Sequence, residues 1–174
     1  IFVGRMATEK ALPKLLKIWG MVQDKLPDWK LTLVGDGPQF GTCRQIIAEK
    51  KLKRVCLTGH QMSIPYIDRA RILCLTSVIE GLPTVFTEAM SLGVIPIGFN
   101  SFNAIYDMID DGIDGFIIPD NNYEQYAETI LRLAEDDTLR CQIAYKAQKR
   151  KNRYDIEQVG PLWMETFRKH GLIK

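Results

Sequence analysis

The sequence has few of the residues that build metal sites, disulfides or membrane spans. Its 174 residues include only two histidines and four cysteines, and no two cysteines stand at C-x-x-C spacing. No Asp-x-Asp triplet occurs, so ligands for hard cations are not clustered either, and we expect no metal and no other cofactor. No apolar run approaches the roughly 18 residues of a membrane-spanning helix, and the chain shows no signal-peptide pattern.

A strong excess of charge of either sign is also absent. The net charge is +2, with 25% charged and 46% hydrophobic residues, which is ordinary for a soluble domain and gives no reason to expect a nucleic-acid partner. Cysteines without a disulfide pattern favour a reducing cytoplasm. The basic run Lys146 to Arg153 could contact an anionic membrane, but a solvated helix face is the commoner reason for such a run. We therefore expect a cytoplasmic protein and leave open a peripheral contact with the inner face of the membrane.

What the sequence does have is a regular alternation of short apolar runs with amphipathic stretches. Such alternation predicts βαβ units with right-handed crossovers. We therefore expect an α/β fold with a Rossmann-like, mainly parallel sheet of about six strands, helices on both faces and a helical C-terminal tail. The predicted strands are Ile1 to Gly4, Trp29 to Gly35, Val55 to Thr58, Ile72 to Thr76, Val94 to Gly98 and Phe116 to Ile118.

The chain divides into a Rossmann-like domain, residues 1–135, and C-terminal helices that complete it, residues 136–174. The dipeptide Gly160-Pro161 is expected to break the last helix, because proline lacks the N–H that a helix needs. The chain opens directly on the apolar run Ile1-Phe2-Val3 without an initiator Met. We therefore expect a piece of a longer protein.

The segment EGLPTVFTE, from Glu80 to Glu88, follows the apolar run RILCLTS. Its Gly-Leu-Pro turn leads into a predicted helix, Thr84 to Leu92, that ends at Gly93. A strand that passes through a turn into a helix N-terminus presents unpaired N–H groups and a positive dipole end at the carboxyl edge of a parallel sheet. The segment therefore predicts an anion site between two carboxylates, each of which suits a polyol.

Two cations follow the first predicted strand. Gly4-Arg5 closes that strand and Lys10 enters the next helix, so both cations can reach the edge that carries Glu80. An isolated Arg and Lys at such spacing are usually solvated. In combination with Glu80 and Glu88, however, they favour a binding site.

Other motifs favour structural roles. The segment VGDGP, Val34 to Pro38, stands between a strand and a helix, but its glycine spacing is not G-x-G-x-x-G and no acidic residue ends the next strand. A tight turn is therefore favoured over a dinucleotide site. His60 is expected in a loop and His170 in solvent, since neither has an evident Ser or Cys nucleophile as partner.

Taken together, these segments resemble the C-terminal, donor-binding half of retaining glycosyltransferases of family 4, which have the GT-B fold. Four segments carry the resemblance: GRMATEK, LTLVGDGP, EGLPTVFTEAMSLGVIPI with its two glutamates eight residues apart, and DGIDGFIIP before the helical tail. Their order and spacing extend over nearly the whole chain. The segment Asn100 to Ala104 departs from the Gly-rich loop that many members carry near the donor sugar, which leaves the sugar open.

The resemblance implies a role for each charged residue. In the family, the Arg and Lys hold the donor's diphosphate, the first Glu contacts the transferred sugar and the second Glu binds the ribose diol, while backbone amides of the turn contact phosphate. The implied catalytic residues are Arg5, Lys10 and Glu80. The implied donor-binding residues are Gly4, Arg5, Lys10, Glu80, Gly81, Leu82, Pro83, Thr84, Val85 and Glu88.

The resemblance also implies an activity. The donor would be a nucleotide-diphosphate sugar, with a UDP-sugar favoured, and transfer would retain the anomeric configuration, in polysaccharide or glycolipid biosynthesis. Family members are described as using same-face attack and not a covalent glutamate intermediate. The family's other Rossmann-like domain, which holds the acceptor, is not part of this sequence, so we expect this piece to be inactive alone.

Three alternatives stay open at the level of the sequence. A sugar-nucleotide epimerase of the same architecture is the nearest to a transferase. A nicotinamide-dependent oxidoreductase domain would share the sheet but needs the glycine fingerprint that is missing here. A non-catalytic nucleotide-binding or interaction module would need neither acceptor site nor chemistry.

Overall fold

The structure is a computed structural model that describes residues 1–150 and 155–173. Its strands are β1 (Phe2–Val3), β2 (Leu31–Val34), β3 (Val55–Leu57), β4 (Ile72–Leu75), β5 (Ile95–Phe99) and β6 (Phe116–Ile118). Its helices are α1 (Leu12–Val22), α2 (Phe40–Glu49), α3 (Ile64–Ile67), α4 (Thr84–Ser91), α5 (Ile105–Met108), α6 (Tyr123–Glu135), α7 (Asp137–Arg150) and α8 (Ile156–Lys169), with a 3₁₀ turn over Thr8–Lys10. The prediction of an α/β fold with six strands is confirmed.

The strands form two parallel sheets of three, in the orders β1-β2-β3 and β4-β5-β6. The two sheets lie side by side, because the backbone N–H of Cys74 in β4 donates to the carbonyl oxygen of Ile1, just before β1, at 2.8 Å. The spatial order is therefore β3-β2-β1-β4-β5-β6. The order reverses between β1 and β4, and in open α/β sheets ligands bind at such a switch point, outside the carboxyl ends of the strands.

Helices cover both faces of this arrangement. Helix α1 packs against α2 and α6, whereas α4 packs against α3 and α7. With right-handed crossovers these two groups lie on opposite faces. Helix α1 buries Leu12, Leu15, Leu16 and Trp19, which recur at helical spacing and so form one apolar stripe toward the sheet. Strands β4 and β5 are buried along their whole length, as expected for central strands covered on both faces.

The turn after β2 supports the loop after β1. Gly35 and Gly37 have positive φ angles of 137° and 149°. A Cβ atom on Gly35 would lie 1.9 Å from the carbonyl oxygen of Gly4, and one on Gly37 would lie 2.7 Å from that of Met6. Only glycine allows so close an approach of two backbones. The glycines therefore face the protein's own backbone, and the predicted tight turn is confirmed.

The C-terminal tail is helical, but the predicted break is wrong. Helix α8 continues through Pro161 without interruption. Pro161 lies in the second turn of an exposed helix. Because proline has no N–H, one helical hydrogen bond is missing, and water can bind the carbonyl oxygen one turn earlier that would have accepted it. The cost of Pro161 is thus smaller than the stability that the helical residues on either side of it contribute.

Helix α8 buries none of its residues. Leu162, Trp163 and Met164 are exposed, and the Trp163 ring contacts that of Phe167 at a centroid distance of 5.6 Å. The structure therefore leaves the apolar face of α8 exposed. No helix in the described ranges is both long and apolar enough to cross a membrane.

Candidate functional site

The four predicted charged residues come to one edge of the sheet. Arg5 follows β1, and Lys10 ends the 3₁₀ turn before α1. Glu80 lies in the loop after β4, and Glu88 lies in α4. Since β1 and β4 are parallel neighbours, the loops that follow them meet at the switch point of the strand order. Arg5 and Glu80 are therefore on the same, carboxyl edge, as the alternation of strands and helices predicts.

Lys10 and Glu80 form an ion pair at this edge. Lys10 Nζ lies 2.5 Å from Glu80 Oε1, and the hydroxyl of Ser77 donates to the same oxygen at 2.6 Å. The Lys10 and Glu80 side chains are only 20% and 10% exposed. Two donors on one carboxylate oxygen fix the orientation of the group. The other oxygen, Oε2, accepts no hydrogen bond from the residues that the structure describes.

Further contacts bind the loop after β4 to the turn that carries Lys10. Thr76, fully buried after β4, has Oγ1 at 3.2 Å from the carbonyl oxygen of Lys10 and 3.3 Å from that of Ala11. The N–H of Val78 donates to the carbonyl oxygen of Glu9 at 2.8 Å. The ion pair is therefore supported by the backbones on both sides and does not depend on two long side chains alone.

Glu88 lies near the N-terminus of α4, on the side that faces the start of α3. Its Oε2 accepts a hydrogen bond from Ser63 Oγ, just before α3, at 3.3 Å. The residue is half-buried and lies one turn inside α4. Helical side chains lean toward the N-terminus of their helix, so this carboxylate points toward the carboxyl edge. An ionised carboxylate can accept two parallel hydrogen bonds, which is the geometry that a diol offers.

The segment Gly81 to Val85 brings the N-terminus of α4 to this edge. Pro83 is buried and immediately precedes α4, whereas Gly81 and Leu82 are exposed. The N–H groups of Thr84 and Val85 fall in the first helical turn, where the helix itself supplies no acceptor. The positive end of the helix dipole adds to these donors, and together they favour an anion.

Arg5 stands on an anchored backbone with an exposed side chain. On either side of it, the N–H of Gly4 donates to Val34 at 3.0 Å and the N–H of Met6 donates to Asp36 at 2.8 Å, both to carbonyl oxygens. Within the described part of the chain, Arg5 forms no ion pair. A cation with a fixed backbone and a side chain in solvent is well placed to bind an incoming anion.

Three hydroxyl residues of the site are missing from the set predicted by sequence. Ser77 stands three positions before Glu80, a separation short enough for a loop to bring hydroxyl and carboxylate together. Ser63 and Thr76 reach partners 25 and 66 positions away, which no local pattern reveals. Both histidines, His60 and His170, are exposed, in agreement with the sequence. The described residues contain no group of three or more acidic, His or Cys side chains arranged to hold a metal ion.

The opposite edge of the sheet, where the strands begin, carries a cleft. The cleft has a volume of about 460 Å³ and opens beside residues that begin strands, such as Leu31 and Ile72. Its lining includes the aromatic residues Trp19, Trp29 and Tyr66 and the cations Lys30, Arg69, Arg71 and Arg140. None of the predicted site residues is among them.

Comparison with known proteins identifies the family. The family described as "Glycosyl transferases group 1" matches residues 1–150. That range contains the Arg5 loop, the Lys10 turn, the Glu80 loop and α4. It leaves out residues 151–174, which include α8.

Individual relatives match most of this chain but only part of their own length. A Haemophilus influenzae protein described as an uncharacterized glycosyltransferase is 28% identical over 168 residues, which are 92% of this chain and 46% of the relative. A Campylobacter jejuni alpha-1,4-N-acetyl-D-galactosaminyltransferase, named for a diNAcBac-PP-undecaprenol-linked acceptor, is 26% identical over 173 residues, 96% of this chain and 47% of the relative. The chain thus spans less than half the length of these two proteins.

Solved structures share the fold. A crystal structure of a Staphylococcus aureus TarM variant with Fondaparinux, alpha-GlcNAc-glycerol and UDP has a TM-score of 0.90 and 25% identity, over 95% of this chain and 34% of that one. Anabaena HepE in complex with UDP-glucose has a TM-score of 0.86 and 23% identity, over 97% of this chain and 48% of that one. The chain therefore has the Rossmann-like fold of a GT-B domain.

Proposed function

The chain belongs to the group 1 glycosyl transferases, and we propose that it is the donor-binding half of a retaining glycosyltransferase of family 4. In this proposal residues 1–135 bind a nucleotide-diphosphate sugar, and the helices of residues 136–174 complete that domain. The observation that carries the proposal is the meeting of Lys10, Glu80 and the N-terminus of α4 at the switch point of the sheet. This arrangement offers cations and N–H groups to a diphosphate, and it offers a carboxylate to a sugar.

The diphosphate would lie over the N-terminus of α4, between Arg5 and Lys10. Backbone groups of Gly4 and of the segment Gly81 to Val85 would add contacts to its oxygens. When the sugar leaves, negative charge grows on the diphosphate. Fixed cations and N–H groups therefore stabilise the transition state more than the bound donor. On this argument Arg5 and Lys10 are catalytic residues as well as binding residues.

The two glutamates would bind the two polyols of the donor. Glu80 presents Oε2 to a hydroxyl of the transferred sugar, while Glu88 binds the ribose diol beside α4. We assign Glu80 this hydroxyl-binding role and not a covalent one, in keeping with the same-face attack described for the resembling family. We propose same-face attack with retention, in which an oxygen of the leaving phosphate helps to take the acceptor's proton.

The donor we propose is a UDP-sugar, and the pathway is polysaccharide or glycolipid biosynthesis in the cytoplasm. The TarM structure contains UDP, the HepE structure contains UDP-glucose, and the Campylobacter relative is named for a lipid-linked glycan acceptor. A lipid-linked acceptor would bring the full protein to the inner face of the membrane. These three proteins support the proposal by similarity only.

The proposed partner is a second Rossmann-like domain that holds the acceptor. The relatives are more than twice the length that this chain matches, which leaves room for such a domain. The exposed apolar face of α8, with Leu162 and Trp163, would pack on it. Without that domain the cleft that excludes water and aligns the reactants is incomplete, so residues 1–174 should bind donor without transferring its sugar. Transfer by this chain alone would show that the acceptor site lies within it.

Calorimetry with UDP and UDP-sugars on two glutamate variants tests the assignment. We expect Glu88→Ala to weaken UDP binding by roughly 1.5 to 3 kcal/mol, the loss for hydrogen bonds to a charged group, because the ribose is present with or without the sugar. Glu80→Ala should leave UDP binding nearly unchanged and reduce the preference for the sugar-bearing donor.

Glu128→Ala is the matched control for these variants, since Glu128 is exposed on α6, away from the site. It should change neither affinity. If Glu80→Ala abolishes UDP binding while Glu88→Ala leaves it intact, the two roles are reversed. If the unsubstituted chain binds neither UDP nor any nucleotide-diphosphate sugar, the proposed function is wrong.

A further inference from the structure

Ser77 holds Glu80 from the interior of the protein. It is fully buried, two residues after β4, and its hydroxyl donates to Glu80 Oε1 at 2.6 Å. Its own carbonyl oxygen accepts a hydrogen bond from the hydroxyl of Ser101, in the loop after β5. The loop after β5 therefore fixes the position of Ser77, and the Ser77 hydroxyl in turn fixes the carboxylate of Glu80.

Glu80 Oε1 also accepts a hydrogen bond from Lys10, and a bound nucleotide-diphosphate sugar would compete with Glu80 for that ammonium group. Lys10 Nζ lies 2.5 Å from Oε1, so Lys10 neutralises Glu80 in this structure. A diphosphate carries more negative charge than one carboxylate and offers several acceptor oxygens, so it competes well for the ammonium group. The Ser77 hydroxyl is uncharged and buried, and so it stays with Glu80 when Lys10 turns to the phosphates.

We propose that Ser77 is a positioning residue that fixes Glu80 for recognition of the donor's sugar once Lys10 engages the diphosphate. This inference rests on the proposed function and deepens it, because it assigns sugar recognition to Glu80 and Ser77 acting together. With Oε1 held by Ser77, Oε2 is the oxygen presented to a sugar hydroxyl. Ser77 thus has no part in binding the nucleotide diphosphate itself, which separates its effect from that of Lys10.

The test is calorimetry on the whole chain with UDP and with whichever of UDP-glucose and UDP-N-acetylglucosamine binds more tightly. We expect Ser77→Ala to lower the preference for the sugar-bearing ligand over UDP by about 3- to 10-fold, less than the loss of a hydrogen bond to a charged group, because the variant misplaces Glu80 without removing it. Affinity for UDP alone should change by less than about twofold. Ser91→Ala is the matched control: its hydroxyl donates to the carbonyl oxygen of Glu88 within α4, and it should change neither value.

A double-mutant cycle separates positioning from a general structural effect. If Ser77 acts through Glu80, Ser77→Ala should cause no further loss of preference in a Glu80→Ala background, because effects that pass through one group do not add. Should Ser77→Ala not fold, as judged by thermal unfolding, Ser77→Cys carries the same expectation, since it keeps the size of the side chain with a much weaker donor.

Three results would overturn the inference. The first is an equal loss of affinity for UDP and for the sugar-bearing ligand. The second is an unchanged preference in a folded Ser77 variant, and the third is additivity with Glu80→Ala. In each of these cases the unsubstituted chain still binds both ligands and the proposed function stands. If the unsubstituted chain binds neither, the proposed function falls and the inference falls with it.

Discussion

The two edges of the sheet differ in the groups that they offer to a ligand. The amino edge has the cleft of about 460 Å³, with aromatic walls and several cations. The carboxyl edge carries the Lys10–Glu80 pair, Arg5 and Glu88 on loops. Helices α1, α2 and α4 follow strands and begin at the carboxyl edge, so most N–H groups and positive dipole ends gather there, whereas α7 begins at the amino edge after α6. Concave volume alone would favour the amino edge, whereas the site that we propose is at the carboxyl edge.

The cations of the two edges also differ in what they contact. At the amino edge Arg140 pairs with Asp137, donates to the carbonyl oxygen of Leu133 at 2.8 Å and lies 5.7 Å from the Trp29 ring centroid. It therefore joins α6, α7 and the start of β2. At the carboxyl edge Arg5 makes no ion pair with a described residue, and Lys10 pairs with a carboxylate of the site. The contacts of Arg140 thus indicate a structural role, whereas those of Arg5 and Lys10 are compatible with the binding role that we propose.

The largest expected effect is a loss of stability when the turn after β2, which supports the Arg5 loop, is altered. Gly35→Ala should lower the free energy of unfolding by at least about 3 kcal/mol, because the new Cβ atom collides with the Gly4 carbonyl and the φ angle is unsuited to alanine. Gly41→Ala is the control, since a Cβ atom there meets nothing within 4 Å and the position is helical. It should raise stability by roughly 0.5 to 1 kcal/mol. Urea unfolding measures both, and similar values for the two would show that the turn does not support the Arg5 loop.

Next in size is the loss of a cation from the carboxyl edge. Lys10→Ala and Arg5→Ala should each weaken UDP binding by roughly 1.5 to 3 kcal/mol, and the effect should shrink as salt screens the exposed part of the attraction. Arg71→Ala, at the exposed rim of the amino cleft, is the control and should change UDP affinity by less than about twofold. Calorimetry at low and high salt gives all three values. A loss with Arg71→Ala as large as with Lys10→Ala would place the nucleotide at the amino edge.

The smallest expected effect separates stability from binding at the amino edge. Arg140→Ala should lower the free energy of unfolding by roughly 1 to 2 kcal/mol, because it leaves the Leu133 carbonyl without this donor and removes the contact with Trp29. Affinity for UDP should stay within about twofold of the unsubstituted chain. Thermal unfolding and calorimetry on the same samples test both statements. Weakened UDP binding with unchanged stability would contradict the structural role of Arg140.

Sequence patterns predicted that the charged residues of the proposed site share one edge of the sheet, because each stands near the end of a strand or the start of a helix. Arg5 follows β1, Glu80 follows β4 and Glu88 lies in α4, so the alternation of apolar and amphipathic runs places all three at one edge. The direct pairing of Lys10 with Glu80 was not predicted. It depends on the contacts of Thr76 and Val78, which join segments far apart in the chain.

Local signals were less successful where tertiary context decides the outcome. Pro161 is a strong helix breaker by itself, yet α8 includes it, since the cost is one hydrogen bond on an exposed helix. Ser77 is an ordinary loop residue in the sequence, and only its complete burial against Glu80 reveals its contact. Propensity thus predicts elements well but says little about which polar side chains a loop turns inward.

The central claim is that the donor binds at the carboxyl edge, and an NMR titration of the isotope-labelled chain with UDP tests it most directly. The backbone amides of Gly81, Leu82, Thr84 and Val85 report on the carboxyl edge, and the indole N–H groups of Trp19 and Trp29 report on the amino cleft. We predict large, saturable shifts of the amides and unchanged indole signals. Saturable shifts of the Trp19 and Trp29 indoles, with the amides of the segment Gly81 to Val85 unchanged, would contradict the account.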